Sequence, residues 1–209
     1  MATPSSVRVS GAVEGLLDEA VLRRLVLYVG ATPTSVYGKT GKQRLLQQLN
    51  GYNQAAQQAP WLVLVDLDDD AECAPPYKAH CLPEPATRMC FRIAVREIEA
   101  WLLADRDRLA QFLSINVARI PQSPEEIPNP KRMMVQLARA SRRRGVREDM
   151  VPRPESGRDV GPVYTGRLIE FVTNTRSGWR PTVAARSSNS LMSCLQRLQE
   201  LLQRASAPE

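Results

Sequence analysis

Aromatic residues make up only 5% of this 209-residue chain, and it has a single histidine. That histidine, His80, argues against a Ser-His-Asp or Cys-His engine. The four cysteines, at 73, 81, 90 and 194, form no CxxC pair and fall far short of the density of a secreted disulfide scaffold. Cys73, His80, Cys81 and Cys90 match no common zinc spacing, so free thiols in a reducing compartment are expected. No stretch reaches the roughly 18 uncharged apolar residues that a membrane span needs. The opening "MATPSSVRVSGAVEG" has no basic segment followed by an apolar one, which predicts no secretory leader and a cytoplasmic location. A Walker A loop is missing too. In "YGKTGKQR" (37–44), Val36 stands where the first glycine is needed for one register and Pro33 for the other.

The hydrophobic share, 43%, is enough for a core. The net charge of +6 is unevenly spread: residues 1–130 carry −2 and residues 131–186 carry +8. A polyanion such as nucleic acid suits that asymmetry, and so does an arginine-rich solvated surface.

"SVRVSGAVEG" reads as a strand and turn, and "LLDEAVLRRLVLYV" as an amphipathic helix. "TSVYGK" suits a short strand. "KQRLLQQLNGYNQAAQQ" predicts a helix broken near Asn50-Gly51. "WLVLVD" has the unbroken apolar run of a strand covered on both faces. "AECAPPYKAHCLPEPATR", with four prolines, reads as a loop with at most a short helix. "MCFRIAV" predicts another strand, and "REIEAWLLADRDRLAQFL" a helix or a pair of helices. Beyond these come a helix from near Pro130 that ends in Arg142, Arg143 and Arg144, a loop-rich stretch, and the helical "RLIEFVTNT" and "NSLMSCLQRLQELLQRA". Alternation of strand and helix predicts an α/β core with a mostly parallel sheet over residues 1–115, and a basic, helical, loop-rich region over 116–209.

Sites in such sheets form beyond the carboxyl ends of the strands. Glu14 and Asp66 hold that kind of position, and Asp68 points to the same side as Asp66 if the chain stays extended. Clustered carboxylates repel unless a cation compensates, and magnesium takes one or two carboxylates while keeping several waters. "DLDDD" equally suits a solvated loop with capping aspartates.

The order of these elements resembles the Toprim domain of topoisomerases, primases and overcoming-lysogenization-defect nucleases. The closer likeness is to a Toprim-like bacterial family catalogued as domain of unknown function 4276. "VEGLLDEAVLRRLV", "LVLVDLDDD" and "FRIAVREIEAWLLAD" match its three main blocks, and Pro130-Lys131 its downstream Pro-Lys. Where that family commonly has Thr-Glu, this chain has Asp18-Glu19. The likeness covers residues 7–110 well and the remainder loosely. It implies Mg2+ (or Mn2+) held by Glu14, Asp66 and Asp68, with Glu99 as a further ligand, in a nuclease of a bacterial, phage-defence type of system with an ABC-type ATPase partner. Glu99 also suits a helix-dipole role, and Lys131 either a phosphate contact or plain surface. Arg132, Arg142, Arg143 and Arg144 are the candidate nucleic-acid contacts. A non-catalytic module that binds a partner or nucleic acid is the alternative, and a small-molecule phosphotransferase a weaker third reading.

Overall fold

A computed structural model of the chain describes residues 7–206. The first six residues, on which the leader expectation partly rests, lie outside that range. The chain divides into two compact units, Met1–Ile93 with Ser193–Glu209, and Ala94–Met192. The boundary expected near 115 marks where strand–helix alternation fades. The division by contacts falls earlier, at the end of the last strand.

The first unit runs β1 (Arg8–Val13), α1 (Leu16–Tyr28), β2 (Thr32–Gly38), α2 (Lys42–Gln47), α3 (Leu49–Ala55), β3 (Trp61–Asp66), α4 (Ala74–Cys81) and β4 (Met89–Ala94). The strands form one all-parallel sheet in the order β2-β1-β3-β4, flanked by helices. The predicted α/β class is therefore observed. β1 and β3 lie at the centre, and β3 is buried from Trp61 to Val65 as its unbroken apolar run requires. Pro33 in β2 is tolerated because β2 is an edge strand, where a missing N–H costs no ladder bond on the open side.

α1 packs on the sheet through Leu17, Val21, Leu22 and Leu25. The approach is close. A Cβ on Gly11 would lie 2.5 Å from Leu22 Cδ1 and 2.9 Å from the Leu62 carbonyl oxygen. The other face of the sheet presents Ala12, Val63, Val65, Phe91 and Ile93 to Leu45, Leu49 and Tyr52 of α2 and α3. The helix expected to break near Asn50-Gly51 does break, two residues earlier at Gln48, and Asn50 and Gly51 lie inside α3. Leu45, Leu49 and Tyr52 stand at i, i+4 and i+7, and burying them outweighs the ~1 kcal/mol cost of a helical glycine. β2 also starts earlier than the short strand expected from "TSVYGK", because pairing with β1 orders Thr32 and Pro33.

The second unit holds α5 (Ile98–Leu103), α6 (Arg106–Leu113), α7 (Pro130–Arg139), α8 (Arg144–Met150), α9 (Tyr164–Thr173) and α10 (Pro181–Ala184), with short 3-10 turns between some of them. α5 is buried at every position. Trp101 is fully buried and donates from Nε1 to Ser190 Oγ at 2.7 Å, while Trp179 Nε1 donates to the Trp101 carbonyl at 3.0 Å. Trp101 and Leu102 are thus core residues. α7 has Pro130 in its first turn, and Asn129 Oδ1 caps it by accepting from the Arg132 N–H at 2.6 Å. The closing helix, α11 (Asn189–Ser206), contains the boundary between the units. No helix among the described residues is long and apolar enough to cross a membrane.

Candidate functional site: a carboxylate edge with a lysine

The parallel pairing of β1 with β3 brings Glu14, one residue past β1, beside Asp66, the last residue of β3. The Asp66 backbone N–H donates to Glu14 Oε1 at 2.8 Å, across 52 residues of sequence. Burial raises the Glu14 carboxyl from 4.5 to about 7. The Asp66 N–H and the Lys42 charge pull it down, and the Asp18 and Asp68 charges push it up.

Asp68 reaches this edge by a different route from the one its spacing predicts. The chain is not extended there. Asp68 has φ +50°, in the left-handed region, and the Asp70 N–H closes a turn on the Leu67 carbonyl at 3.2 Å. The side-chain alternation of a strand therefore stops at Asp66. The turn instead sends Asp68 and Asp70 to Lys42, whose Nζ lies 2.6 Å from Asp68 Oδ2 and 2.7 Å from Asp70 Oδ2. Tyr77 of α4 adds a hydroxyl that donates to the same Asp70 oxygen at 3.0 Å. Burial works against the Lys42 ammonium, but the bonds to Asp68 and Asp70 outweigh it and raise its pKa. The Asp70 carboxyl is lowered, chiefly by its bond from Lys42.

Lys42, Asp70 and Tyr77 were not legible as site residues. Lys42 comes from the glycine-rich loop that fails as a phosphate loop. The signal lay in its position: "GKTGK" follows a strand that pairs with β1, so it emerges at the same edge as Glu14. Gly38 has φ +83°, and a Cβ there would collide with the Val13 carbonyl. Lys39 donates its N–H to that carbonyl at 2.8 Å, and the Gly41 N–H donates to the Glu14 carbonyl at 3.0 Å. The loop is thereby laced to the end of β1. Glu19 pairs with Arg23 at 2.8 Å and Lys39 at 3.0 Å.

In the second unit, Glu99 is only 2% exposed. Its Oε1 accepts from the buried Tyr164 hydroxyl at 3.1 Å and lies 3.9 Å from Lys131 Nζ. Burial, then the Glu99 charge, raises the Tyr164 pKa and keeps it a phenol. Lys131 Nζ is closer to Glu97, at 3.0 Å, and the Lys131 backbone N–H donates to the other Glu97 oxygen at 2.8 Å. Glu97 therefore holds the first turn of α7, in addition to preceding α5.

The arginine run is not the end of one helix. α7 stops at Arg139, Arg142 and Arg143 lie in the connection, and Arg144 opens α8. Ser141 is buried there, and its Oγ accepts from the Arg143 N–H at 3.1 Å, which turns the chain between the helices. Arg144 pairs with Glu148 at 2.7 Å. Arg142 lines an open depression of about 660 Å3 with Arg108, Arg180 and Asp107, and Arg143 lines a recess with Glu170. Arg132 is exposed on α7.

All four cysteines are free, with Cys90 and Cys194 buried. Among the described residues, no three His, Cys, Asp or Glu side chains form a metal-ready group. No protein-family model matches the chain, and searches of curated proteins and of solved structures return no match either.

Proposed function

We propose that the chain is a magnesium- or manganese-dependent nuclease that hydrolyses phosphodiester bonds of DNA or RNA at the carboxylate edge of the sheet. The observation that carries this reading is the Glu14–Asp66 hydrogen bond, which joins the ends of two parallel strands with Asp68 in electrostatic range. The donors are all carboxylate oxygens, the chemistry a hard cation prefers. A Glu14 carboxyl with a pKa of about 7 is short of positive charge, and a divalent ion would supply it. Glu14, Asp66 and Asp68 would hold the ion, which would neutralise phosphate charge and acidify a bound water. Lys42 restrains Asp68 and Asp70, and its ammonium can pair with a phosphate oxygen in exchange for one of them. Arg132 and Arg142 present exposed guanidinium groups for backbone phosphates. The defence role, the ATPase partner and the part of Glu99 as a metal ligand rest on the family resemblance, and the cytoplasmic location on the sequence.

The test is cleavage of end-labelled single- and double-stranded DNA and RNA by the purified chain. Cleavage should need Mg2+ or Mn2+, stop with chelator, and fall at least a hundredfold in Asp66→Asn. Metal-independent cleavage, or full activity of Asp66→Asn, sinks the reading.

One observation favours the second reading, a non-catalytic module that binds a partner or nucleic acid. Lys42 already bridges two of the acidic side chains, as a built-in counterion would. In that case no substrate is cut under any metal, while nucleic acid or a partner protein still binds.

A further inference from the structure

A second group of charges in the first unit shares no residue with the carboxylate edge. β4 is the edge strand opposite β2. Its side chains alternate: Phe91 and Ile93 enter the core with Trp61 and Val63, so Cys90 and Arg92 face the other side. On that side stand Lys78 of α4 and Arg197 and Arg204 of α11, and together with Arg92 they line a cavity of about 160 Å3. Glu200, a carboxylate in the lining, is already held by Arg197 at 2.6 Å. Among the described residues, four cations thus face one anion.

Among the described residues, Arg92 Nε is buried away from water and has no hydrogen-bond partner, and native structures rarely leave a buried donor unpaired. Lys78 is pushed down by its own burial and then by the Arg92 charge, with Arg197 adding to it. Like charges crowded into a partly enclosed space are held against their repulsion, and a multivalent oxyanion would relieve both defects. Guanidinium groups match tetrahedral phosphate oxygens through paired N–H bonds, while a lysine contributes a point charge. The volume equals about five waters at ~30 Å3 each, which is room for one or two phosphoryl groups.

We propose that this cavity, between β4, α4 and α11, is a binding site for a phosphoryl group, with Lys78, Arg92, Arg197 and Arg204 as its cationic ligands. The proposal does not depend on the nuclease reading, since the site needs no metal. The phosphoryl group has two possible sources, a free small anion or the 5′-terminal phosphate of a nucleic acid.

Calorimetric titration of the full chain with inorganic pyrophosphate, in chelator and at low ionic strength, tests it. A 5′-phosphorylated oligonucleotide and its unphosphorylated twin form the second arm. Saturable pyrophosphate binding is expected, weakened at least tenfold by Arg92→Met or Lys78→Met. Arg204→Ser, at an exposed position, keeps the test open if Arg92→Met does not fold, and should weaken binding severalfold. A tenfold preference for the phosphorylated oligonucleotide, lost in Lys78→Met, assigns the group to a nucleic-acid end. Pyrophosphate binding without that preference assigns it to a free anion. No saturable binding in either arm, or equal affinities for wild type, Lys78→Met and Arg204→Ser, overturns the proposal.

Discussion

The acidic side chains at the sheet edge and those around α5 have the same chemistry in opposite circumstances. Asp105, between α5 and α6, is fully buried and fully answered. Arg180 gives it three bonds, from the backbone N–H at 2.8 Å, from Nε at 3.0 Å and from Nη2 at 2.6 Å. Glu99 has the Tyr164 hydroxyl, and Glu97 both the ammonium and the backbone N–H of Lys131. These carboxylates close circuits within their unit. At the sheet edge, Glu14 accepts the Asp66 N–H yet keeps a raised pKa, and Asp68 and Asp70 share a single lysine. The two groups differ in how fully each carboxylate is partnered, and at Glu14 burial, the chief cause of its raised pKa, is not offset by its hydrogen bond.

The comparison breaks most sharply at Asp105. Asp105→Ala should destabilise the protein by about 2–3 kcal/mol, because it removes a buried acceptor of three bonds from Arg180. Urea unfolding measures this. A loss under 1 kcal/mol would mean that the buried pair is not structural.

Glu14→Gln should act in the opposite direction. A carboxyl whose folded pKa lies above its unfolded value adds stability below about pH 4.5, and that contribution is lost as pH rises through about 7. The ionised form is the penalised one, and Gln can still accept the Asp66 N–H. In chelator at pH 8 the variant should therefore be more stable by about 1–2 kcal/mol, after discounting for partial exposure. The gain should shrink as pH falls through 7 and be gone at about pH 4. Thermal melts at the two pH values check it, and a variant less stable at pH 8 would show Glu14 to be a structural carboxylate like Asp105.

Tyr164→Phe should cost about 1–2 kcal/mol, since it leaves Glu99 without its hydroxyl donor. Metal-dependent cleavage should survive if Glu99 is structural. A loss of cleavage with little change in stability would move Glu99 to the functional side.

The smallest effect belongs to the arginines. Arg142 lines an open depression, whereas Arg144 is spent on Glu148. Arg142→Ala should lower the slope of log affinity against log salt for nucleic acid by about 1, and Arg144→Ala by less. Equal slopes for both variants would leave the arginine run as solvated surface.

The strands β1, β3 and β4, the helix α1 and the pairing of Glu14 with Asp66 were legible because each follows from local pattern. Apolar runs of strand length and a 3.6-residue period identify elements, and a parallel sheet places all its carboxyl ends on one edge. The fate of Glu99 was half legible: its place in the first turn of a helix could be read, but its partner Tyr164, 65 residues away, could not. The start of β2 depended on its neighbour strand, and the path of "GKTGK" on bonds to the end of β1. Asp68 escaped because a left-handed turn residue overrides the two-residue alternation from which its direction was inferred. The sequence by itself determined the strands β1, β3 and β4 and the helices α1 and α11, and that acidic residues cluster past β3. Only the tertiary structure decided that Asp68 and Asp70 meet Lys42, and that Glu99 and Asp105 are buried with partners from far along the chain. Spacing along the chain governs local geometry, while electrostatic compensation depends on groups that folding brings together from far apart.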